Sequence, residues 1–294
     1  GLHGGSTQYA TQPQELLQAV QYEQFYGSNH PLCHDIDGTW RERTSITLEM
    51  FNKAVESPWG GTLIIVSQTP WTKIASIVQE TLVPSQDCTP VTYPAPTPNW
   101  IDQSIPCAQS EQVGLLLIRQ APLRNDRLEK ATQLGLMALA GMFHSRMNRA
   151  IRQEEGLSYG VDCHYIATKQ FGRADFSCFV EPARAVIAYK LMQDTIQGAI
   201  ENWSKTEIAQ TKKQLIRMEK MREETCSQIA SIRSHQLKMR GQFSSIQDAC
   251  RLWEKISLHE VQEAMTFIAR PTTATVATGR PGTSGGSVKR LAAS

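Results

Sequence analysis

The stretch from residue 145 to residue 161 constrains the fold of this chain more than any other part of the sequence. It runs SRMNRAIRQEEGLSYGV, in which a helical pattern ends at Gly156 and a strand pattern opens at Tyr159. Arg152 carries a planar, permanently charged set of donors, and Tyr159 carries one hydroxyl donor. The spacing predicts a helix-to-strand corner at which these two donors could hold a peptide carbonyl or stabilise an oxyanion.

Composition and charge place the chain among globular proteins. Its 294 residues are 40% hydrophobic and 20% charged, and the net charge is +2. A chain of this length can fold as one large domain or as two ordinary ones. So small a net charge gives no reason to expect nucleic acid or an anionic membrane as a partner. The longest apolar runs, residues 63–66 and 113–118, fall far short of the ~20 residues of a membrane span, so we expect a soluble chain.

The seven cysteines are scattered along the sequence, and no two of them form a C-x-x-C pair. Disulfide frameworks and zinc knuckles normally use tighter spacing, so this pattern predicts mostly reduced, buried thiols. A reducing compartment is favoured for this reason, and the sequence leaves the localisation otherwise unknown.

Hydrophobic periodicity and turn residues predict a chain of alternating helices and strands. The predicted helices cover residues 14–26, 47–55, 71–83, 126–152, 182–203, 206–224, 225–238 and 257–268, and the predicted strands cover residues 62–66, 112–120, 159–167, 173–179 and 273–278. Six prolines between Pro84 and Pro106 predict a linker over residues 84–108. A Gly/Ser-rich stretch at residues 281–294 predicts a flexible tail.

A short internal similarity indicates two copies of one domain. In both copies a capped short helix is followed by a β-branched strand and a proline. The matching positions are Ile46-Thr47-Leu48 with Ile256-Ser257-Leu258, Glu49 with Glu260 after a one-residue gap, Thr62 with Thr273, and Pro70 with Pro281. The repeat of about 210 residues predicts that the first copy began roughly a hundred residues before Gly1. Residues 1–83 are therefore predicted to be the closing part of a first domain, and residues 109–280 a complete second domain.

The second of these domains resembles a known family. It carries Ser145-Arg146-Met147, Arg152, Gly156-Leu157 and Tyr159 in that order. This stretch is similar to one shared by the insulinase-type peptidases (peptidase family M16), which include mitochondrial processing peptidase, pitrilysin and the respiratory core proteins. The segment Asn29-His30-Pro31-Leu32 resembles the closing third of the family's first domain, so the resemblance spans about residues 13–280.

The resemblance implies an α+β fold, in which each domain has a mostly antiparallel sheet with helices packed on one face. Two such domains make one half of a clamshell that closes around a peptide. By the same resemblance, Arg152 and Tyr159 reach the substrate carbonyl from the half that lacks zinc, and Gly156, Leu157 and Ser158 lie in the substrate-binding corner. The hairpin that begins at Tyr159 is the candidate sheet edge for an extended peptide.

The inverted zinc motif of the family, His-x-x-Glu-His, does not occur among the seven histidines. His30 and His34 have His-x₃-His spacing, but Cys33 stands where the glutamate should be, and His144 is alone in the helix equivalent to the zinc helix. We therefore expect this chain to bind no cofactor itself. Zinc is expected on a partner half or in a segment upstream of Gly1, and the partner half is favoured because catalytic halves of the family typically lack the Arg/Tyr pair.

Two functions from different classes stay open at this point. The chain is either a metallopeptidase subunit that binds extended peptide and works with a zinc-bearing half as a homo- or hetero-oligomer, or a non-catalytic structural subunit of the same fold, like the respiratory core proteins. A third interpretation is an unrelated α/β binding protein. Without the resemblance, Arg152 is a cation at a helix C-terminus and Tyr159 an ordinary strand aromatic.

Overall fold

The computed structural model describes residues 13–33, 44–56, 62–82, 93–107, 110–200, 202–270 and 274–280. The predicted tail and His34 lie outside these ranges. By its contacts the chain divides into two units. One unit comprises Gly1–Arg41, Pro94–Lys212 and Lys255–Ser294, and the other comprises Glu42–Tyr93 and Lys213–Glu254. The candidate site lies in the first of these units.

A five-stranded sheet forms the centre of the first unit. Its strands are β1 Gln103–Pro106, β2 Val113–Gln120, β3 Asp162–Ala167, β4 Gly172–Val180 and β5 Ala274–Gly279. They lie in the order β1-β5-β2-β4-β3, with the β1–β5 pair parallel and the other three pairs antiparallel. The expected α+β fold with a mostly antiparallel sheet is confirmed. β1 was not predicted, because it lies in the proline-rich stretch that indicated a linker; a short edge strand tolerates a proline at its end.

The helices are distributed over both units. They are α1 Pro13–Tyr26, α2 Leu48–Glu56, α3 Trp71–Thr81, α4 Glu129–Leu136, α5 Arg146–Asn148, α6 Ala185–Gly198, α7 Lys205–Met221, α8 Cys226–Arg240, α9 Ile246–Lys255 and α10 Leu258–Ile268. The α9 helix was not predicted from the sequence. The predicted capping box of α10 is confirmed, since the Ser257 hydroxyl accepts a hydrogen bond from the backbone N–H of Glu260.

The central strand β2 is buried on both faces of the sheet. Leu116 and Ile118 pack with Leu17 and Val20 of α1 on one face. On the other face, Cys178, which pairs with Leu115 across the β2–β4 ladder, lies 3.5 Å from Met192 of α6 through its sulfur. A strand covered on both faces needs apolar side chains at successive positions, which explains the unbroken run VGLLLI.

The predicted long helix over residues 126–152 is interrupted. After α4 the chain forms a π-helical turn at Met137–Gly141 and then adopts an extended conformation at Met142, with φ −122° and ψ 156°. It resumes as α5 and continues as a second π-helical turn at Arg149–Glu154. The apolar periodicity of the sequence continues through the break, so the pattern predicts one uninterrupted helix. Gly141 lowers the helical preference at this point, and the carbonyls freed by the break find a donor in Asn148.

The second unit contains α2, α3, α8, nearly all of α9 and the last part of α7, and the strand predicted at residues 62–66 is not formed there. The Thr47 hydroxyl caps α2 by accepting from the backbone N–H of Met50 at 3.2 Å. Residues 62–66 form no strand, because the described residues of this unit offer no second strand for pairing. Leu63 is therefore left 58% exposed.

Two general features complete the description. Within the described ranges, every helix is too short or too polar to cross a membrane. No disulfide joins the six described cysteines. Burial raises the pKa of the Cys163 and Cys178 thiols, with the carboxylate of Asp162 adding to the effect. These two cysteines are therefore protonated thiols at neutral pH.

Candidate functional site

Arg152 lies in the π-helical turn that ends the interrupted helix. Glu155 N–H donates to the Ala150 carbonyl at 3.2 Å, which is a five-residue step rather than the four-residue step of an α-helix. The guanidinium carbon of Arg152 lies 4.1 Å from the centre of the Phe143 ring. This stacking uses the face of the guanidinium and leaves its N–H edge open. Arg152 makes no hydrogen bond or ion pair with any described residue. Single π-helical turns of this kind often occur at functional sites.

The corner after Arg152 is fixed by a glycine and a buried leucine. Gly156 has a φ of +58°, which only glycine adopts without strain. Leu157 N–H donates to the Ile151 carbonyl at 2.8 Å, and the side chains of both residues are buried. Gly156 is therefore the residue that lets the chain turn at this corner. The Leu157 side chain is therefore part of the core rather than of the surface of the corner.

Tyr159 lies at the tip of this corner. It is 95% exposed and makes no contact of its ring or hydroxyl with any described residue. Ser158 stabilises the turn beside it, because its hydroxyl donates to the Gly160 carbonyl at 3.0 Å. The strand predicted from Tyr159 begins only at Asp162, so Tyr159 precedes the sheet. The structure therefore presents Arg152 and Tyr159 at two ends of one short corner, with no direct bond between them.

Asn148 ties the helix to the strand that follows the corner. Its side-chain oxygen accepts from Val161 N–H at 2.8 Å, and its amide nitrogen donates to the Val161 carbonyl at 3.4 Å. The same nitrogen lies 3.0 Å from the Ala140 carbonyl and 3.1 Å from the Met142 carbonyl. A Cβ on Gly160 would lie 3.1 Å from the Asn148 oxygen, so a side chain there would push against this tie. Sequence analysis missed Asn148, although a weak helix former inside a helical pattern is a signal.

The SRM motif of the same stretch is structural. Arg146 donates to the Glu207 carboxylate from two nitrogens, at 2.7 Å and 2.6 Å, and its guanidinium carbon lies 4.0 Å from the centre of the Trp203 ring. Ser145 and Met147 are buried. The motif therefore fixes the helix against the start of α7.

Two other arginines occupy the carboxylates next to Arg152. Arg149 lies 3.7 Å from Glu154, and Arg184 lies 3.7 Å from Glu155. All four of these side chains are exposed, so each pair contributes little to stability. As a result, Glu154 and Glu155, the two carboxylates nearest to Arg152 in the sequence, are directed towards other arginines.

The histidines provide no metal site within the described residues. His30 uses both ring nitrogens: Nε2 lies 3.0 Å from the Pro94 carbonyl, and Nδ1 accepts from Leu32 N–H at 3.1 Å. His144 is exposed on the surface. No group of three histidine, cysteine or carboxylate side chains is arranged to hold a metal ion in the part of the chain that the structure describes. A cavity of about 620 Å³ lies beside His30 and Gly27, away from the Arg152 corner.

A buried ion pair lies on β4, the strand next to β3. Arg173 Nε is 3.0 Å from the Asp175 carboxylate, both side chains are almost fully buried, and Gln21 of α1 donates to the same carboxylate. Burial raises the pKa of Asp175 to about 6, while Arg173 and the facing His164 oppose this rise. The pair fastens α1 to the sheet and is a structural feature next to the candidate edge.

Comparisons with known proteins identify the class. The fold is an α+β domain with a helix–glycine–strand corner, and the family model described as the peptidase M16 inactive domain matches residues 66–215. This match covers just over half of the sequence, so the chain belongs to peptidase family M16. A search of curated proteins finds no match.

Solved structures of the same fold come from several organisms. A peptidase M16 inactive domain from Pseudomonas fluorescens has a TM-score of 0.79 at 21% identity, covering 94% of this chain and 68% of that one. A protease from Helicobacter pylori has a TM-score of 0.73 at 12% identity, covering 91% and 67%. A chain of complex III from Candida albicans has a TM-score of 0.70 at 10% identity, covering 93% and 68%. The chain thus spans about two thirds of these relatives, and at these identities the likeness establishes the fold alone.

Proposed function

We propose that this chain is a subunit or half of an M16-type metallopeptidase that binds extended peptide and brings Arg152 and Tyr159 to the substrate carbonyl. One observation carries the proposal. At a corner whose backbone is held by Gly156 and Asn148, a guanidinium edge and a phenol hydroxyl both have no hydrogen-bond partner among the residues that the structure describes. Stabilisation of a developing negative charge requires open donors, and here they are carried on a backbone that Gly156 and Asn148 hold in place.

In this proposal the two side chains act on the same carbonyl oxygen. The Arg152 guanidinium donates charge-assisted hydrogen bonds, and the Tyr159 hydroxyl donates a further one. Both bonds strengthen as the oxygen gains charge in the tetrahedral intermediate, so they lower the barrier more than they tighten binding of the substrate. Gly156, Leu157 and Ser158 supply the backbone of the corner that faces the peptide. Zinc, held by a partner half or by a segment upstream of Gly1, would activate the attacking water.

The experiment uses the chain assembled with its zinc-bearing half. Arg152→Ala and Tyr159→Phe are each expected to lower kcat by about 10²–10³-fold, with little change in stability. Arg149→Ala is the matched control, since Arg149 lies in the same turn and its guanidinium is exposed beside Glu154. Full turnover in both site variants would refute the assignment.

A non-catalytic structural subunit is the second candidate, favoured by the likeness to the chain of complex III. The two candidates predict different outcomes for zinc content and peptide cleavage, measured on the chain alone and after co-purification with its bound partner. Metal and cleavage only in the complex support the peptidase subunit. A stable complex that holds no zinc and cleaves no peptide supports the structural subunit.

We also propose that residues 1–83 close a first domain of the same family and that residues 109–280 form the second domain. Residues 84–108 connect the two, and their strand β1 adds to the sheet of the second domain by pairing with β5. The Thr47 cap at α2 supports this division, because it repeats the Ser257 cap at α10. The 58% exposure of Leu63 supports it as well, since the matching strand in the second domain is buried. Amide exchange tests the proposal: residues 62–66 should gain protection when the chain is produced with its upstream sequence.

A further inference from the structure

The cavity of about 620 Å³ lies between the C-terminal end of α1 and the segment that leads into β1. Its volume is typical of a site for a small ligand. The residues that line it all belong to the first unit, and none of them belongs to the Arg152 corner. The cavity is therefore separate from the candidate site described above.

Hydrogen bonds hold the two walls of this cavity together. The N–H of Asn99 donates to the Gln24 carbonyl at 2.7 Å, and the Gln24 side-chain nitrogen donates to the Ile101 carbonyl at 2.7 Å. At the other end of the same wall, His30 Nε2 lies 3.0 Å from the Pro94 carbonyl. Because the wall is tied to α1 and to the turn after it at both of its ends, the cavity is a preformed feature of the fold.

The C-terminal end of α1 makes the cavity electrostatically negative. The last carbonyls of a helix carry a partial negative charge, and α1 has no basic residue in its last turn to offset it. Glu23 lines the cavity and adds a carboxylate. Burial raises the pKa of the Cys33 thiol, and the negative charge of Glu23 adds to this rise. The field of Glu23 therefore extends over the turn that follows α1.

No positive charge offsets these groups among the described residues that line the cavity. Lysine and arginine are absent from this lining. His30 is neutral, because its Nδ1 accepts from Leu32 N–H, so the ring proton lies on Nε2 and is donated to the Pro94 carbonyl. A cation is therefore the ligand whose charge complements the cavity.

Gln24 adds a buried acceptor to the wall formed by α1. Its side chain is buried, and its nitrogen is used by the Ile101 carbonyl and, at 3.2 Å, by the side-chain oxygen of Gln103. Its own side-chain oxygen is buried without a donor among the described residues. A buried acceptor in this state costs free energy, and a ligand that brings an N–H donor to this wall would relieve the cost.

The remaining lining suits an aliphatic chain that ends in a donor group. Tyr26 and Ile101 supply apolar surface, and the Tyr26 ring is stacked on the His30 ring with the two centres 4.9 Å apart. Ser28 and Asn29 are exposed at the rim. An ammonium group offers three donors and a full positive charge, and the methylene groups of its chain can lie against apolar surface.

We propose that this cavity binds a primary ammonium group carried on an aliphatic chain, with the ammonium beside Glu23 and the C-terminal end of α1. Such a group belongs either to a free diamine or to a lysine side chain, and both present the same chemistry to the cavity. The inference is independent of the peptidase proposal, because it uses no residue of the Arg152 corner.

Three small probes test the proposal on the 15N-labelled chain. Cadaverine represents the free diamine, and acetyl-lysine methylamide represents the lysine side chain. Acetyl-norleucine methylamide has the same backbone and an aliphatic side chain without the ammonium. We expect both amines to shift the signals of the Gln24 side-chain amide and the Asn99 backbone amide, and the norleucine compound to leave them unchanged. The amine that binds more tightly identifies the source of the ammonium.

A charge-removing variant locates the bound ammonium. Glu23→Gln keeps the size of the side chain and should weaken binding of both amines about tenfold or more, because a hydrogen bond between two charged groups is lost. Glu111→Gln is the matched control, since Glu111 is exposed, undergoes the same change of charge and lies outside the lining. It should bind the amines as the unaltered chain does. Binding should also weaken as the NaCl concentration is raised, because the contact is between charges.

Three results would overturn the inference. Equal shifts by the norleucine and lysine compounds would mean that the ammonium is not recognised. Unchanged signals with both amines at millimolar concentration would mean that the cavity does not bind them. Equal affinities of Glu23→Gln and Glu111→Gln would mean that the ammonium does not lie beside Glu23. The comparison of the probes uses the unaltered chain, so it decides the question even if Glu23→Gln fails to fold.

Discussion

Replacing Asn148 with alanine removes the side chain that holds the candidate corner together. Asn148 is buried, and three of its hydrogen bonds are between 2.8 and 3.1 Å: one from Val161 N–H and two to the Ala140 and Met142 carbonyls. An intramolecular hydrogen bond contributes about 1 kcal/mol net, and an unsatisfied buried partner costs more than that. We therefore expect Asn148→Ala to lower the free energy of unfolding by about 3 kcal/mol.

The assay combines urea unfolding with amide exchange at the corner. Asn202→Ala is the matched control, because Asn202 is exposed and its side chain makes no hydrogen bond with a described residue. Surface substitutions of this kind change stability by less than about 0.5 kcal/mol. In Asn148→Ala the Val161 amide should also lose its protection, because its acceptor is gone.

Two results would refute this reasoning. Equal urea midpoints for Asn148→Ala and Asn202→Ala would mean that Asn148 does not hold the corner. A Val161 amide that stays protected in Asn148→Ala would mean that another group accepts from it. In the assembled complex, turnover should fall in Asn148→Ala and fall no further when Tyr159→Phe is added, since both changes act through the same hydroxyl.

Two further predictions concern the backbone and the buried ion pair. Gly156→Ala should lower the free energy of unfolding by about 1–2 kcal/mol, because φ is +58° at this position. A clash is not the cause, since the new Cβ would meet no atom within 4 Å. Gly198→Ala is the control, because Gly198 has the same free space without a left-handed φ; equal urea midpoints for the two variants would contradict the prediction. The pKa of Asp175 is about 6 in the folded chain and ~3.9 in the unfolded chain, so the folded chain binds this proton more tightly. The contribution of Asp175 to the free energy of unfolding therefore falls by up to about 3 kcal/mol as the pH rises from the lower to the higher of these two pKa values. Asp175→Asn lacks this titration, so its stability relative to the unaltered chain should rise by that amount between pH 4 and pH 7; a constant difference in urea titrations would contradict it.

The sequence predicts local structure well where one pattern decides it. The strand β2 and the hairpin of β3 and β4 follow from apolar runs and a glycine turn, and the caps at Thr47 and Ser257 follow from single residues. These features depend on neighbours in the chain, so the printed sequence contains their causes.

Features decided by distant contacts escape the same analysis. The break after Gly141 depends on bonds from Asn148 to carbonyls six and eight residues away, while the apolar periodicity continues unchanged. The strand β1 depends on pairing with β5, which lies far along the chain, and the proline-rich stretch that contains β1 gives no local signal of a strand. The prediction of a strand at residues 62–66 is wrong because it, too, depended on a distant partner. The sequence has the pattern of a strand there, but without a neighbouring strand its backbone groups would stay unpaired.

The arrangement around Arg152 bears on the choice between the peptidase and the structural subunit. A guanidinium at a helix end would ordinarily lower its energy by pairing with the acids beside it, yet Glu154 and Glu155 are directed to Arg149 and Arg184. Stacking on Phe143 contributes about 0.5–1 kcal/mol and orients Arg152 without using its N–H edge. Packing alone does not explain why only the face of the Arg152 guanidinium is in contact with the protein, or why Tyr159 is almost fully exposed to solvent. Recognition of a carbonyl by both side chains does explain it, and loss of turnover in Arg152→Ala but not in Arg149→Ala would be its direct consequence.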